Sequence, residues 1–215
     1  VIPNDLLIYF LKKSIKLDLS SNFLELKINK LNKSEIKLSR ISLLILYECN
    51  LTNFDLENSL DFSKMKKLSY LDLSKNLITE IKSSYFAKNS ELTQLILDRN
   101  KILSIEINSF QNLNMLNLLN LSFNQIEHFG QDLFGYEIDY LDLRELDLRN
   151  NLIKKIQIFD ILIELLKIDL SFNLINDLSC MKFDTLINNL NLKNNQLSEI
   201  TSFIFQDFFR YIYLI

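Results

Sequence analysis

The chain has 215 residues, with 24 Lys and Arg against 27 Asp and Glu, a net charge of −3 and an isoelectric point near 5.3, which argues against a dedicated nucleic-acid binder, whose phosphate contacts need a positive surface. Leucine (45) and isoleucine (27) make up a third of it, yet glycine occurs only at Gly130 and Gly135, proline only at Pro3 and histidine only at His128; the GxGxxG and GxxxxGK[ST] phosphate loops, the GxSxG elbow and the HExxH zinc site cannot be written in such a sequence. Cys49 and Cys180 are too few and too far apart for a zinc cluster or a disulfide framework, and no apolar run approaches the ~18 residues of a membrane span, so no enzyme class, metal or cofactor is indicated.

From Ser14 onward one nonamer recurs. SIKLDLSSN ends at Asn22, with serine at its first apolar position, and ISLLILYEC ends at Cys49, with cysteine in place of asparagine. LSYLDLSKN follows at Asn76, LTQLILDRN at Asn100, LNLLNLSFN at Asn124, LRELDLRNN at Asn151, LLKIDLSFN at Asn173 and INNLNLKNN at Asn195. The steps between anchors are 27, 27, 24, 24, 27, 22 and 22 residues. Aliphatic or aromatic residues fall two and five positions after most anchors, as in Ile78 and Ile81 or Ile126 and Phe129. Ten positions after the anchor come Phe86, Phe110, Phe134, Phe183 and Phe205, with Ile161 in the sixth copy. The first two copies offer Asn32 and Ser59 there, which predicts an irregular back surface for them. The closing YIYLI places Tyr211 and Leu214 at the first apolar positions of a ninth copy. The expectation is one domain over residues 1–215, eight repeats with a ninth truncated, from a longer protein.

In LxL the outer residues point to one face and the middle one to the other, because side chains alternate along a strand. Each copy therefore contributes one short parallel strand whose leucines are buried only between neighbouring turns. The anchors Asn22, Cys49, Asn76, Asn100, Asn124, Asn151, Asn173 and Asn195 stand where the strand ends. Their side chains are expected to form a structural ladder that satisfies backbone groups left unpaired by the turn. Asparagine is also expected to handle the recurrent turn in place of glycine.

The pattern LxxLxLxx(N/C) at a period of 20 to 29 resembles the leucine-rich repeat, and residues 14–215 resemble the extracellular repeat type of Toll-like receptors and cell-surface adhesion proteins. The resemblance implies an α/β fold, a right-handed curved horseshoe with a concave parallel sheet of about eight short strands, no catalytic residues, and recognition of a protein or other macromolecule on the concave face. It implies an extracellular or cell-surface location and the ligand-recognition segment of a receptor or adhesion protein. The alternative is an intracellular, cytoplasmic scaffold that docks a partner enzyme, which the last two 22-residue steps resemble. A dimer of the chain is compatible with either; nucleic acid is not expected as a partner.

Outward concave positions can be assigned from the motif. Asp18, Asp72, Asp147 and Asp169 occupy the middle of LxL, with Asn120 and Asn191 equivalent, as solubility requires. Ile45 and Ile96 break that rule, and with Leu43, Tyr47, Tyr70, Leu118 and Phe123 they form an apolar and aromatic stripe across copies two to five, the candidate partner-binding surface. A second candidate is the acidic stretch from Glu127 to Asp147, read first as a solvated loop and in the alternative as a convex bulge that steers a basic partner. Cys49 and Cys180 are expected as free thiols, with Cys49 buried. The sequons at Asn32, Asn50 and Asn120 are no more frequent than chance, and His128 is expected on a solvent-facing turn.

Overall fold

The computed structural model describes residues 16–22, 38–58, 60–135, 141–157, 162–179, 187–198 and 211–213. Its strands are β1 (Lys16–Asp18), β2 (Leu43–Ile45), β3 (Tyr70–Asp72), β4 (Glu80–Ile81), β5 (Gln94–Ile96), β6 (Ser104–Ile105), β7 (Leu118–Asn120), β8 (His128–Gly130), β9 (Glu145–Asp147), β10 (Lys155–Gln157), β11 (Lys167–Asp169), β12 (Asn189–Asn191) and β13 (Tyr211–Tyr213). Nine of them make one sheet in the order β1-β2-β3-β5-β7-β9-β11-β12-β13, and every recorded pairing is parallel. At a strand spacing of about 4.8 Å the sheet runs roughly 38 Å from first strand to last. The strand beyond the expected eight is β13, in the ninth copy, paired with β12; Leu190 pairs with Ile212 and Asn189 with Tyr211, a step of 22 residues, so the ninth copy is set two residues earlier than the placement of Tyr211 and Leu214 at its first apolar positions.

Register follows the motif without slip. Leu44, Leu71, Leu95, Leu119, Leu146, Ile168 and Leu190 are successive partners across the sheet, and all are buried. Behind this layer, the positions five residues after the anchor pair as the two small parallel sheets β4·β6 and β8·β10. Phe86, Phe110 and Phe134 fill the space between the layers; Phe86 stacks on Phe62 at 6.0 Å and Phe110 meets Phe134 at 5.5 Å, centroid to centroid. The second copy, which lacks this phenylalanine, carries the helix α1 (Asn53–Asn58) on its back. Asp55 caps its start, the carboxylate accepting both the backbone N–H and the hydroxyl of Thr52 at 2.8 Å while the Asp55 N–H donates to the Thr52 carbonyl at 3.1 Å.

The anchor asparagine serves the turn after each strand through its side chain, as Asn76 Nδ2 does by donating to the carbonyls of Leu73 and Ser74. The residue with left-handed backbone is not the asparagine but the one before it: Ser21, Glu48, Lys75, Arg99, Phe123, Asn150, Phe172 and Asn194 all have φ between 52° and 57°. Two of these eight are asparagines, whose side chains suit that conformation; the other six bear a steric cost of roughly 1–2 kcal/mol each. The regular hydrogen bonds from one turn to the next hold them there.

Candidate functional site: the concave sheet

The strand ends are stitched together by the anchor side chains. Nδ2 of Asn124 donates to the carbonyl of Leu121 in its own turn and to that of Leu97 in the preceding turn, both at 3.0 Å, while its Oδ1 accepts the Ile102 N–H at 3.0 Å. Asn76, Asn100, Asn151, Asn173 and Asn195 make the same two-turn connection through Leu46, Leu73, Leu121, Leu148 and Leu170. Cys49 occupies the rung at the second copy. Its thiol donates to the Leu19 carbonyl at 3.2 Å, the job of an amide N–H, and its own backbone N–H is accepted by Oδ1 of Asn76. The thiol is free and buried, and burial pushes its pKa up. Asn22 holds only its own turn among these contacts, through the carbonyls of Leu19 and Ser20.

A second ladder lies one step nearer the concave surface. The carboxylate of Asp72 accepts the N–H of Ser74 at 2.8 Å, and its hydroxyl as well. Asp18 with Ser20, Asn120 with Ser122, Asp147 with Arg149, Asp169 with Ser171 and Asn191 with Lys193 repeat this backbone cap. These residues therefore shape the turn, beyond the solvation expected of them. The recurring Asp/Asn-Leu-Ser triplet was the available signal in the sequence.

The candidate stripe maps onto the outer face of the same strands. Leu43 is the register partner of Tyr70, and Gln94 separates Tyr70 from Leu118; Ile45 and Ile96 flank Asp72 in the next row. The structure thus brings Leu43, Ile45, Tyr70, Ile96 and Leu118 onto one face, each half-buried, with Gln94 and Asp72 as the polar interruptions. Tyr47 and Phe123 lie past the strand ends and have cations of their own. Lys75 sits 4.8 Å over the Tyr47 ring, and Phe123 has Arg99 at 4.1 Å and Arg149 at 5.5 Å. They rim the stripe.

Leu118 also opens onto a shallow pocket of about 220 Å³ lined by Asn120, Glu145, Asp147, Arg149, Lys167 and Asp169. Burial pushes the Asp147 carboxyl up to about 6, and the neighbouring Asp169 charge adds to it against the pull of Arg149. Burial likewise raises Asp98, helped by Asp72, and raises the Tyr70 phenol, to which Asp72 and Asp98 contribute. Because the folded Asp147 carboxyl holds its proton up to higher pH than the unfolded one, it costs stability as pH rises from about 4 to 6, and the full cost stands above that window. Asn120 and Asn191 show that an amide makes the same cap. With 26% of the Asp147 side chain exposed, Asp147→Asn is expected to gain about 1–2 kcal/mol at pH 7.5 and almost nothing at pH 4, read from urea unfolding at both pH values.

The acidic stretch from Glu127 to Asp147 does not form one convex bulge. Glu145 and Asp147 face the concave side on β9, Asp132 lies 3.0 Å from the imidazole of His128, and residues 136–140 lie outside the described residues. His128 is exposed as expected, but on strand β8 and not in a turn, since it pairs with Lys155. Asn120 spends its side-chain oxygen on the Ser122 cap and Asn50 is exposed; Asn32, Cys180, Phe183 and Phe205 lie outside the described residues. No helix among the described residues is long and apolar enough to cross a membrane.

The leucine rich repeat family model matches residues 39–102 and 90–144. No curated protein sequence matches the chain. Among solved structures, the leucine-rich repeat domain of APL1B superposes with a TM-score of 0.70 at 22% identity, over 93% of this chain and 54% of that one. A leucine-rich repeat protein of Leptospira interrogans gives 0.56 at 18% identity over 98% and 69% of the two chains. TLR13, solved in complex with ssRNA13, gives 0.54 at 23% identity over 79% and 27%. The chain spans about half of the APL1B domain and about a quarter of the TLR13 chain. Motif, solenoid and family match agree: the chain is a leucine-rich repeat protein.

Proposed function

We propose that the chain is a non-catalytic protein-binding scaffold that works through its concave sheet, as the ligand-recognition segment of a receptor or adhesion protein at the cell surface. The observation that carries this is the stripe of Leu43, Ile45, Tyr70, Ile96 and Leu118, half-buried on a face that the solenoid's own core does not need. Apolar side chains at these positions lie outside the inter-turn core, and a partner that covers them removes their remaining exposed area from water. The phenylalanine-bearing 24-residue copies support the extracellular assignment. The 22-residue steps into β11 and β12, and the free buried thiol of Cys49, favour the second reading, an intracellular scaffold docking a partner enzyme.

The double substitution Tyr70→Asp with Ile96→Asp tests the surface. Partner affinity is expected to fall at least about 100-fold, because two charges then face an apolar interface. The thermal midpoint is expected to stay within a few degrees, since neither side chain enters the core. Unchanged affinity in calorimetric titration would remove this face from the account.

A further inference from the structure

The outward residues of β2, β3, β5, β7, β9 and β11, with the second position after each strand, hold five carboxylates, Asp72, Asp98, Glu145, Asp147 and Asp169, against the cations Arg149 and Lys167. These carboxylates stand around the apolar stripe rather than apart from it. Asp72 lies between Ile45 and Ile96 in register, and Asp147 and Asp169 line the pocket onto which Leu118 opens. Folding does not call for all of these charges. Asn120 and Asn191 perform the same cap as Asp147 without a charge, and Asp98 sits two residues past the capping row, where four other turns carry Ser20, Ser74, Ser122 and Ser171. Both Asp98 and Asp147 are partly buried, and burial outweighs the pull of Arg99, 3.7 Å from Asp98, and of Arg149, 3.3 Å from Asp147, so each resists ionisation and gains from a further cation brought by a partner.

Resting on the concave-face reading, we propose that the partner is a protein segment both basic and apolar, laid across the strands with a large apolar side chain on Leu43, Ile45, Tyr70 and Ile96 and lysine or arginine side chains at Asp98 and at the Asp147–Asp169 pair. Asp98 follows β5 and Asp147 lies on β9, with only β7 between them. Two strand spacings make roughly 10 Å, which an extended segment covers in about three residues. Two basic residues three or four apart therefore reach both positions. In these rows the carboxylates outnumber Arg149 and Lys167, which favours a basic segment over a phosphate polymer, while Lys75 and Arg99 lie over the Tyr47 and Phe123 rings at the rim.

Panning a displayed library of random 12-residue peptides on the 215-residue chain, then titrating the recovered sequences as synthetic peptides, tests this. Recovered peptides are expected to combine aromatic or branched apolar residues with at least two Lys or Arg, and to bind less tightly as salt rises. Asp98→Asn with Asp147→Asn is expected to weaken them at least about ten-fold while the melting temperature holds or rises, so lost binding cannot be attributed to lost fold. Neutral or acidic peptides that still lose binding on Tyr70→Asp would overturn the proposed chemistry and leave the docking face standing. Peptides indifferent to both Tyr70→Asp and Ile96→Asp would overturn the face itself. Failure to recover any peptide, or tighter binding of a single-stranded oligonucleotide, would also overturn the proposal.

Discussion

Asn124→Leu is expected to lower stability by at least about 3 kcal/mol, with the solenoid giving way first at the junction between the fourth and fifth copies. Leucine matches asparagine in size, so the substitution tests polarity and little else. It leaves the Ile102 N–H and the carbonyls of Leu97 and Leu121 without the partners they have at 3.0 Å, in a position only 8% exposed. Each such group costs about 1–3 kcal/mol when buried and unsatisfied. Two of the three belong to the preceding turn, so the damage falls on the interface between turns, the quantity on which a stacked repeat depends. Differential scanning calorimetry should show a midpoint lower by roughly 6–12 °C. Asn124→Cys should cost less, because Cys49 shows a thiol serving as one rung at 3.2 Å. Equal losses for the two variants, or none, would mean that the amide is not what joins the turns.

Phe110→Ala is expected to cost about 3–5 kcal/mol, the usual consequence of emptying a fully buried aromatic site. Its ring is inaccessible and lies 5.5 Å from that of Phe134. The backbone beneath is held independently by the Phe110 N–H to the Leu133 carbonyl at 2.8 Å, which limits collapse into the cavity. Phe172 gives the contrast. It is 53% exposed, and Phe172→Ala is expected to change stability by no more than about 0.5 kcal/mol when both variants are unfolded in urea. Comparable losses at both positions would contradict the assignment of the phenylalanine ten residues after the anchor as the filler between front and back sheets.

The repeat made most of this fold legible before any coordinate. A period of 22 to 27 residues with a shared LxL fixes which residues face inward, and the register is then dictated, because a one-residue slip in any strand would turn its leucines outward. The anchor asparagines were legible for the same reason, though their reach into the preceding turn was not: a single motif cannot show that Asn124 accepts from Ile102, 22 residues earlier. The caps were misread as solvation, because an aspartate at an outward position satisfies both demands. The left-handed residue was hidden by its own diversity, since Glu48, Lys75 and Phe172 share a backbone angle and no side-chain chemistry. At the candidate site the apolar stripe followed from strand alternation, but the arginines that cover Phe123 and the burial that raises Asp147 depend on distances between turns and on rotamers.

That the concave sheet is the working surface is tested most directly by isoleucine methyl groups, because the chain exposes isoleucine on and off that sheet. With the δ1 methyls labelled with carbon-13, and the tightest peptide from the displayed library titrated in, the signals of Ile45 and Ile96 should move with saturation. Those of Ile107 and Ile163, which are 58% and 49% exposed outside the nine-stranded sheet, should stay in place. Movement of Ile107 or Ile163 while Ile45 and Ile96 remain still would contradict the account.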